Sequence, residues 1–464
     1  MFLASIRSIL TMRGPFLFLA LGCVASACAP RTRPEGSTPA DETRGRRRIG
    51  SLDPTALYSQ AGFIAESDPI PFIGSVRFLA GESADTTLVL VTLSLANQAL
   101  TFSGEGDSQK AGYQVAIDVR REGVTVKHVD AREAVRVSTF RETSRTDESI
   151  IFQQYLPVVP GQYVVSVAVR DEGSARNGQD ELVVTVPRFA SSTLSSPIAV
   201  YEADLRKSRD SIPDMVANPR ATVVFGRDSL VRLYLEGYSL PSDARVLVAA
   251  HNDRGGVVWQ DTASLDESGV LRAVVLGVPV SRLGVGRLTL AASLLGGTDT
   301  VRTPLFVTFG QEWAISSLAE MINYLRYFAS ASRLQTLRDT SAENRAKAWA
   351  AFYRDTDPDP RTPEHEALRD YFNRIETSNL RFREEGTPGW LTDRGKVYVT
   401  LGDPDQVLEQ GDVSNMGQRG RAQIWTYAQH RLQLVFVDQT GFGRWRMTSS
   451  GEMAFEAVAA RERR

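Results

Sequence analysis

Across residues 74–188 the chain runs as one short alternating segment after another, with no helical period between them. Tyr113, Val115, Ile117 and Val119 alternate with polar or small residues, and so do Tyr163, Val165, Val167 and Val169. Successive side chains of a strand point to opposite faces, so a period of two with β-branched and aromatic enrichment marks half-buried strands. Residues 88–95 differ: they start apolar on both faces and end alternating. Turns come from residues 104–112 and 171–178. Strands joined by short polar loops read as an antiparallel sandwich.

Residues 198–308 repeat the pattern, with strands expected at 221–225, 230–235, 246–250, 271–276 and 288–294. Both stretches close as corner, strand, polar hairpin, strand, which reads as a degenerate tandem repeat. In the first, Pro160 and Gly161 followed by Tyr163 resemble the tyrosine corner of immunoglobulin-like and fibronectin-like domains, whose hydroxyl bonds backbone upstream.

The period changes near residue 311. Ala314, Leu318, Met321, Ile322, Leu325 and Phe328 recur at three and four, as on one face of a helix. Thr340 and Glu343 have capping-box spacing and open a second expected helix with Trp349, Phe352 and Tyr353. Thr362, Pro363 and Glu364 supply an N-cap, a first-turn proline and a carboxylate for a third, bearing Leu368, Tyr371, Phe372 and Ile375. Strands follow at 397–401, 424–427, 432–437 and 445–447. The fold class expected is therefore multi-domain. Two all-β immunoglobulin-like sandwiches, 56–190 and 195–308, precede an α+β domain, 311–450, of three helices on a small antiparallel sheet. A polar tail, 451–464, ends the chain.

The amino terminus reads as an address. Arg13 precedes an apolar run that ends in small residues, the pattern of a lipoprotein-type signal peptide over 1–27. Met12 is an alternative start to Met1. Ala25-Ser26-Ala27-Cys28 resembles a bacterial lipobox, which makes Cys28 the expected lipidation site, with Cys23 the weaker candidate. Ala29 is not the Asp of inner-membrane retention, so the resemblance implies an outer-membrane lipoprotein facing the periplasm or the cell surface. Residues 28–55, with an Arg cluster and no apolar period, read as a disordered tether. The two cysteines both precede residue 30, so disulfides, cysteine zinc sites and a thiol nucleophile are excluded downstream. Lys plus Arg number 53 against 55 Asp plus Glu, a balance that argues against a nucleic-acid partner.

The most specific string is Gly389-Trp390-Leu391-Thr392-Asp393-Arg394-Gly395, running on to Asp403-Pro404-Asp405. It resembles the signature of the GWxTD domain family of bacterial extracytoplasmic proteins. Trp349 with Phe352 and Tyr353 is similar to that family's helical lead-in, and Trp425, Phe436 and Gly441-Phe442-Gly443 to its closing strands. The likeness covers about residues 340–450 and departs at Phe352-Tyr353 and at Gln423. It implies no reaction.

Read physically, Gly389 takes a left-handed turn, Trp390 anchors the loop, and Thr392 and Asp393 bond nearby backbone N–H groups. Gly395 turns the chain into a strand, and Arg394 pairs with Asp393, Asp403 or Asp405. The same residues, Trp390, Asp393, Arg394, Asp403 and Asp405, form the candidate binding site for a ligand or partner.

Other chemistry is sparse. His128, His251, His365 and His430 have no zinc-helix spacing and no nucleophile elbow beside them. His251 reads as a hairpin residue and His365 as a solvated first-turn residue. Residues 171–180 hold oxygens suited to Ca²⁺ without EF-hand spacing, so a solvated hairpin is expected, and no cofactor or metal. The expectation is a non-catalytic, lipid-anchored envelope protein that docks an envelope protein or polymer through its carboxyl-terminal domain. The alternative is a periplasmic hydrolase or polysaccharide-processing enzyme using carboxylates near the signature.

Overall fold

The computed structural model describes residues 54–105, 108–143, 149–189, 192–268, 271–309, 318–341, 344–362, 365–410 and 420–463. The signal, Cys23, Cys28 and nearly all of the tether lie outside the described residues.

Strand Thr87–Ala96 is buried at every position, and its two faces serve two cores. Val89, Val91, Leu93 and Leu95 pack with Val115, Ile117, Val165 and Val167. On the other face, Leu88 and Leu90 join Leu79 against Ile198, Val200, Tyr234 and Ala273 of the next module. This explains why the strand begins apolar on both faces. Its polar half is also buried, and satisfied: Thr92 Oγ1 lies 2.9 Å from Ser75 Oγ, and Arg220 Nε donates to Ser94 Oγ at 2.9 Å.

The chain is mostly antiparallel sheet with a helical carboxyl-terminal region. In the first module, Ile64–Glu66, Phe72–Ala80, Thr87–Ala96 and Ser149–Val158 form a four-stranded sheet. It faces a sheet built on Ser108–Arg121, Val124–Val137, Gly161–Asp171 and Asn177–Val186. In the second, a sheet centred on Leu230–Tyr238 faces one centred on Gly286–Leu294, with Leu233, Leu235, Val248 and Leu290 between them. The second module is sealed to the first along one face, so the four sheets stack in series and the modules are not separate beads. The Tyr163 hydroxyl donates to the Val159 carbonyl at 2.8 Å, the upstream bond expected of that corner.

Polar groups are locked into the seam between the modules. Glu236 is fully buried and accepts from the Tyr234 and Tyr238 hydroxyls at 2.6 and 2.5 Å and from Arg206 at 3.3 Å. Burial pushes the Glu236 carboxyl up, and Arg206 opposes the shift. Arg206 also donates to the Ala80 carbonyl of the first module, and the Ala80 N–H donates to Tyr238.

Helices Leu318–Tyr324, Ala331–Asp339, Arg345–Thr356 and Glu366–Arg381 continue the core of the second module. Trp349 and Tyr353 meet Phe309 at 5.5 and 6.0 Å between ring centres, and Phe225 lies 5.7 Å from Tyr353. Beyond them a four-stranded sheet of Gln406–Gln410, Arg421–Tyr427, Leu432–Asp438 and Arg446–Met447 packs on the flanking helices. No helix among the described residues is long and apolar enough to cross a membrane.

Several expectations change. The second expected helix starts at Arg345 with Asn344 as its N-cap, while Thr340 closes the helix before it. Ala314, Glu343, Pro363 and Glu364 lie outside the described residues. The third helix is capped by His365, which is buried rather than solvated. Its Nδ1 accepts from the Leu368 N–H at 3.1 Å, which leaves Nε2 to donate to Thr356 Oγ1 at 3.0 Å. Residues 397–401 belong to a helix, Asp393–Leu401, not to a strand. The expected tail is largely the helix Ser449–Glu462, whose Phe455 and Ala459 are buried in the carboxyl-terminal core. His251 ends a strand beside a hairpin turn, as expected.

Candidate functional site

The signature folds around two close backbone contacts. A Cβ on Gly389 would stand 1.9 Å from the Ser378 carbonyl oxygen, and one on Gly395 would stand 1.8 Å from the Gly389 carbonyl oxygen. Neither glycine has a positive φ. Their smallness lets helix Glu366–Arg381, the turn Gly389–Leu391 and helix Asp393–Leu401 touch, so the expected left-handed turn at Gly389 and strand entry at Gly395 are both replaced by contact packing.

Thr392 is the N-cap of helix Asp393–Leu401. Its hydroxyl accepts from the Gly395 N–H at 3.1 Å and donates to the Gly389 carbonyl at 2.7 Å. The opposite end is closed by Gly402 at φ +83°, a backbone conformation that favours glycine. Val397 and Tyr398 face the carboxyl-terminal core while Val399 faces the core of the helices and second module. The second half of this short helix lies between two cores, so its consecutive residues Val397, Tyr398 and Val399 are all buried and mimic a buried strand.

Trp390 is buried among Tyr324, Tyr327 and the Arg326 guanidinium, 5.2, 5.9 and 5.1 Å from its ring. Asp393, in the first helical turn where a carboxylate suits the dipole, accepts from the Met447 N–H at 2.8 Å. Arg394 forms no ion pair with Asp393, Asp403 or Asp405. Its guanidinium sits 4.8 Å from the Trp445 ring and 5.4 Å from that of Phe382, and donates to Gln423 Oε1 at 3.4 Å. The Gln423 amide in turn donates to Glu409 at 2.6 Å. Desolvation lowers the Arg394 pKa to about 10, which leaves it charged at neutral pH.

Asp403 accepts from Arg381 at 2.6 Å, and Asp405 accepts from the Ala428 N–H at 2.6 Å. These two lie past one end of the helix, with Asp393 and Arg394 at the other. Nine residues at 1.5 Å rise span about 13 Å. The five candidate residues therefore do not converge: Trp390 serves one core, Asp393 the edge strand of the sheet, Arg394 an inner strand through Gln423, and Asp403 and Asp405 the entry to the sheet.

Sequence reasoning missed the groups that surround Arg394. Phe382 and Trp445 form its aromatic walls, and Glu384, buried beside them, accepts from the Trp445 N–H at 2.9 Å and from Arg446 at 3.1 Å. Asp438 is buried too and accepts from Gly441 N–H, Gly443 N–H, Thr440 Oγ1 and Arg421 at 2.9, 2.8, 3.1 and 3.0 Å. Burial alone would raise its pKa; those hydrogen bonds outweigh it and hold the carboxyl below its usual range. The Gly-Phe-Gly step was the one available signal for this loop. Elsewhere, Asp171 in the candidate Ca²⁺ hairpin spends its carboxylate on Thr101, Ser174 and Arg176. Among the described residues no group of three His, Cys, Asp or Glu side chains is arranged to hold a metal ion.

The GWxTD domain profile matches residues 298–442, a span running from the end of the second β module to the exposed loop after Asp438. The chain carries a GWxTD domain. Its Gly389, Trp390, Thr392 and Asp393 are thus the parts that join helices to sheet in the geometry above. No curated protein matches the chain significantly. Solved structures share it only distantly. A biofilm-associated protein BSP domain is 10% identical, with a TM-score of 0.16, covering 58% of this chain and 55% of that one. Red sea bream transglutaminase is 9% identical, with a TM-score of 0.17 and coverages of 56% and 34%. Dimeric latent PorU from Porphyromonas gingivalis is 11% identical, with a TM-score of 0.21 and coverages of 55% and 21%. The chain thus spans about half or less of the length of these three.

Proposed function

We propose that this chain is a non-catalytic, lipid-anchored protein of the cell envelope, facing the periplasm or cell surface, whose GWxTD domain docks an envelope protein or polymer. The two β modules are read as immunoglobulin-like sandwiches that carry the GWxTD domain away from the anchor as one stiff stack. The observation that carries the reading is the use made of the signature. Trp390 is buried, Asp393 is spent on the Met447 N–H, and the acids at 403 and 405 are turned to Arg381 and Ala428. Each of these carboxylates is engaged by a neighbour in bracing the fold, whereas acid–base hydrolysis of a glycoside calls for two carboxylates set across a gap from each other. Among the signature residues Arg394 supplies the cation, half-buried between two aromatic rings and reaching Gln423, while Asp403 and Asp405 are the exposed acids.

The test is photo-crosslinking in intact cells. Wild type recovers a defined envelope partner, and Arg394→Ala loses it while keeping the wild-type melting temperature to within a few degrees. Recovery of the same partner by Arg394→Ala, or turnover of a glycan that is abolished by Asp393→Asn, overturns the reading.

A further inference from the structure

Phe442 is the most exposed large hydrophobic residue among those described, at 88%. It stands at the tip of a loop between Gly441 and Gly443, whose φ values are +73° and +80°. The loop is not slack: buried Asp438 clamps both glycine N–H groups and the Thr440 hydroxyl beneath it. An apolar ring is thus held out in water by a pre-organised turn, against the ordinary cost of exposing aromatic surface.

The charges around it are layered. Arg421 and Arg446 are 55% and 61% exposed, while the carboxylates that hold them, Asp438 and Glu384, are 0% and 2% exposed. The anions lie below and the guanidinium groups face solvent. Arg444, between Phe442 and Arg446 in sequence, adds a third exposed cation, paired with the exposed Glu385 at 3.1 Å. Arg421 also donates to the Gly441 carbonyl at 3.4 Å, which ties it to the loop. A protruding aromatic ring with exposed arginines tied to its loop or following it in the chain is complementary to a surface with negative charge outside and hydrocarbon just beneath.

We propose that the Phe442 loop is a peripheral membrane contact for anionic phospholipid: the ring enters the headgroup–acyl boundary and Arg421, Arg444 and Arg446 meet lipid phosphates. A bilayer is favoured over an acidic protein segment because the feature is a convex tip with one apolar side chain, which a deformable interface accepts without a matching pocket. The loop neighbours Arg394 through Trp445, whose ring lies 4.8 Å from Arg394 and 5.5 Å from Arg421, but it uses other side chains and stands if docking through Arg394 fails.

The full chain with Cys23→Ser, Cys28→Ser and Phe442→Cys has one thiol, which takes an environment-sensitive nitrobenzoxadiazole dye. Vesicles of phosphatidylcholine with phosphatidylglycerol shift its emission to the blue and raise it at least twofold, whereas pure phosphatidylcholine does not. The same dye at Val183→Cys, an exposed position on the first module, stays unchanged in both, and adding Arg444→Glu at least halves the loop response. No shift at 442, or equal shifts at 442 and 183, overturns the proposal. Absence of a lipid response would turn the arginines toward an acidic protein face instead. Circular dichroism on each variant checks that the protein remains folded.

Discussion

Gly395 and Gly389 meet backbone to backbone: a Cβ on Gly395 would lie 1.8 Å from the Gly389 carbonyl oxygen, closer than any real contact. The neighbour is main chain, and Thr392 already pins that same carbonyl, so nothing nearby can yield. Three segments of the GWxTD domain are set by this one spacing.

Gly395→Ala is therefore expected to destabilise the chain by about 3 kcal/mol or more, at or beyond the upper end for overpacking because backbone must move. Gly441→Ala, with open space at its Cβ, tests the opposite case and costs about 1 kcal/mol for its φ alone. Urea denaturation followed by tryptophan fluorescence measures both. Equal costs at the two positions would show that backbone contact is not what fixes the signature.

Asp438 makes the carboxyl-terminal sheet acid-sensitive. Its folded pKa lies below the unfolded value of about 3.9, so its contribution is complete above that value and is lost as pH falls through the folded one. Asp438→Asn should lower stability by about 1–3 kcal/mol at pH 7, by removing the charge that Arg421 and the glycine N–H groups address. The gap between wild type and variant should then narrow below pH 4. A difference that persists unchanged at pH 2.5 would assign the effect to shape alone.

The buried seam gives a third case. Arg206→Ala strands the Glu236 carboxylate without its cation and should cost about 3–5 kcal/mol. Joining it to Glu236→Leu should recover a large part, because the buried charge is then gone as well, although the Tyr234 and Tyr238 hydroxyls lose their acceptor. Thermal and urea unfolding of the single and double variants decide it. A double variant as unstable as the sum of its singles would mean that the pair is not coupled.

Much of the fold was legible because side-chain period reports burial directly. The alternation at Tyr113–Val119 and Tyr163–Val169 gave strands, the three-and-four spacing at Leu368–Ile375 gave a helix, and the Pro-Gly-x-Tyr corner gave the hydroxyl bond to Val159. Residues 397–401 were misread as a strand since an apolar run carries no period once two cores cover it. The doubly apolar start of Thr87–Ala96 was visible, but a strand cannot say what will cover its second face.

By itself, then, the sequence determined most local elements, the antiparallel β character, the change to helices after the second β module and the GWxTD signature, all of which depend on residues close together in the chain. Only the tertiary structure decided that the two modules share a sealed face, that Arg394 lies between Phe382 and Trp445, and that buried Asp438 holds Phe442 out in water. Those are encounters between segments distant in sequence, fixed by which surfaces exclude water together, and no local pattern of side chains encodes them.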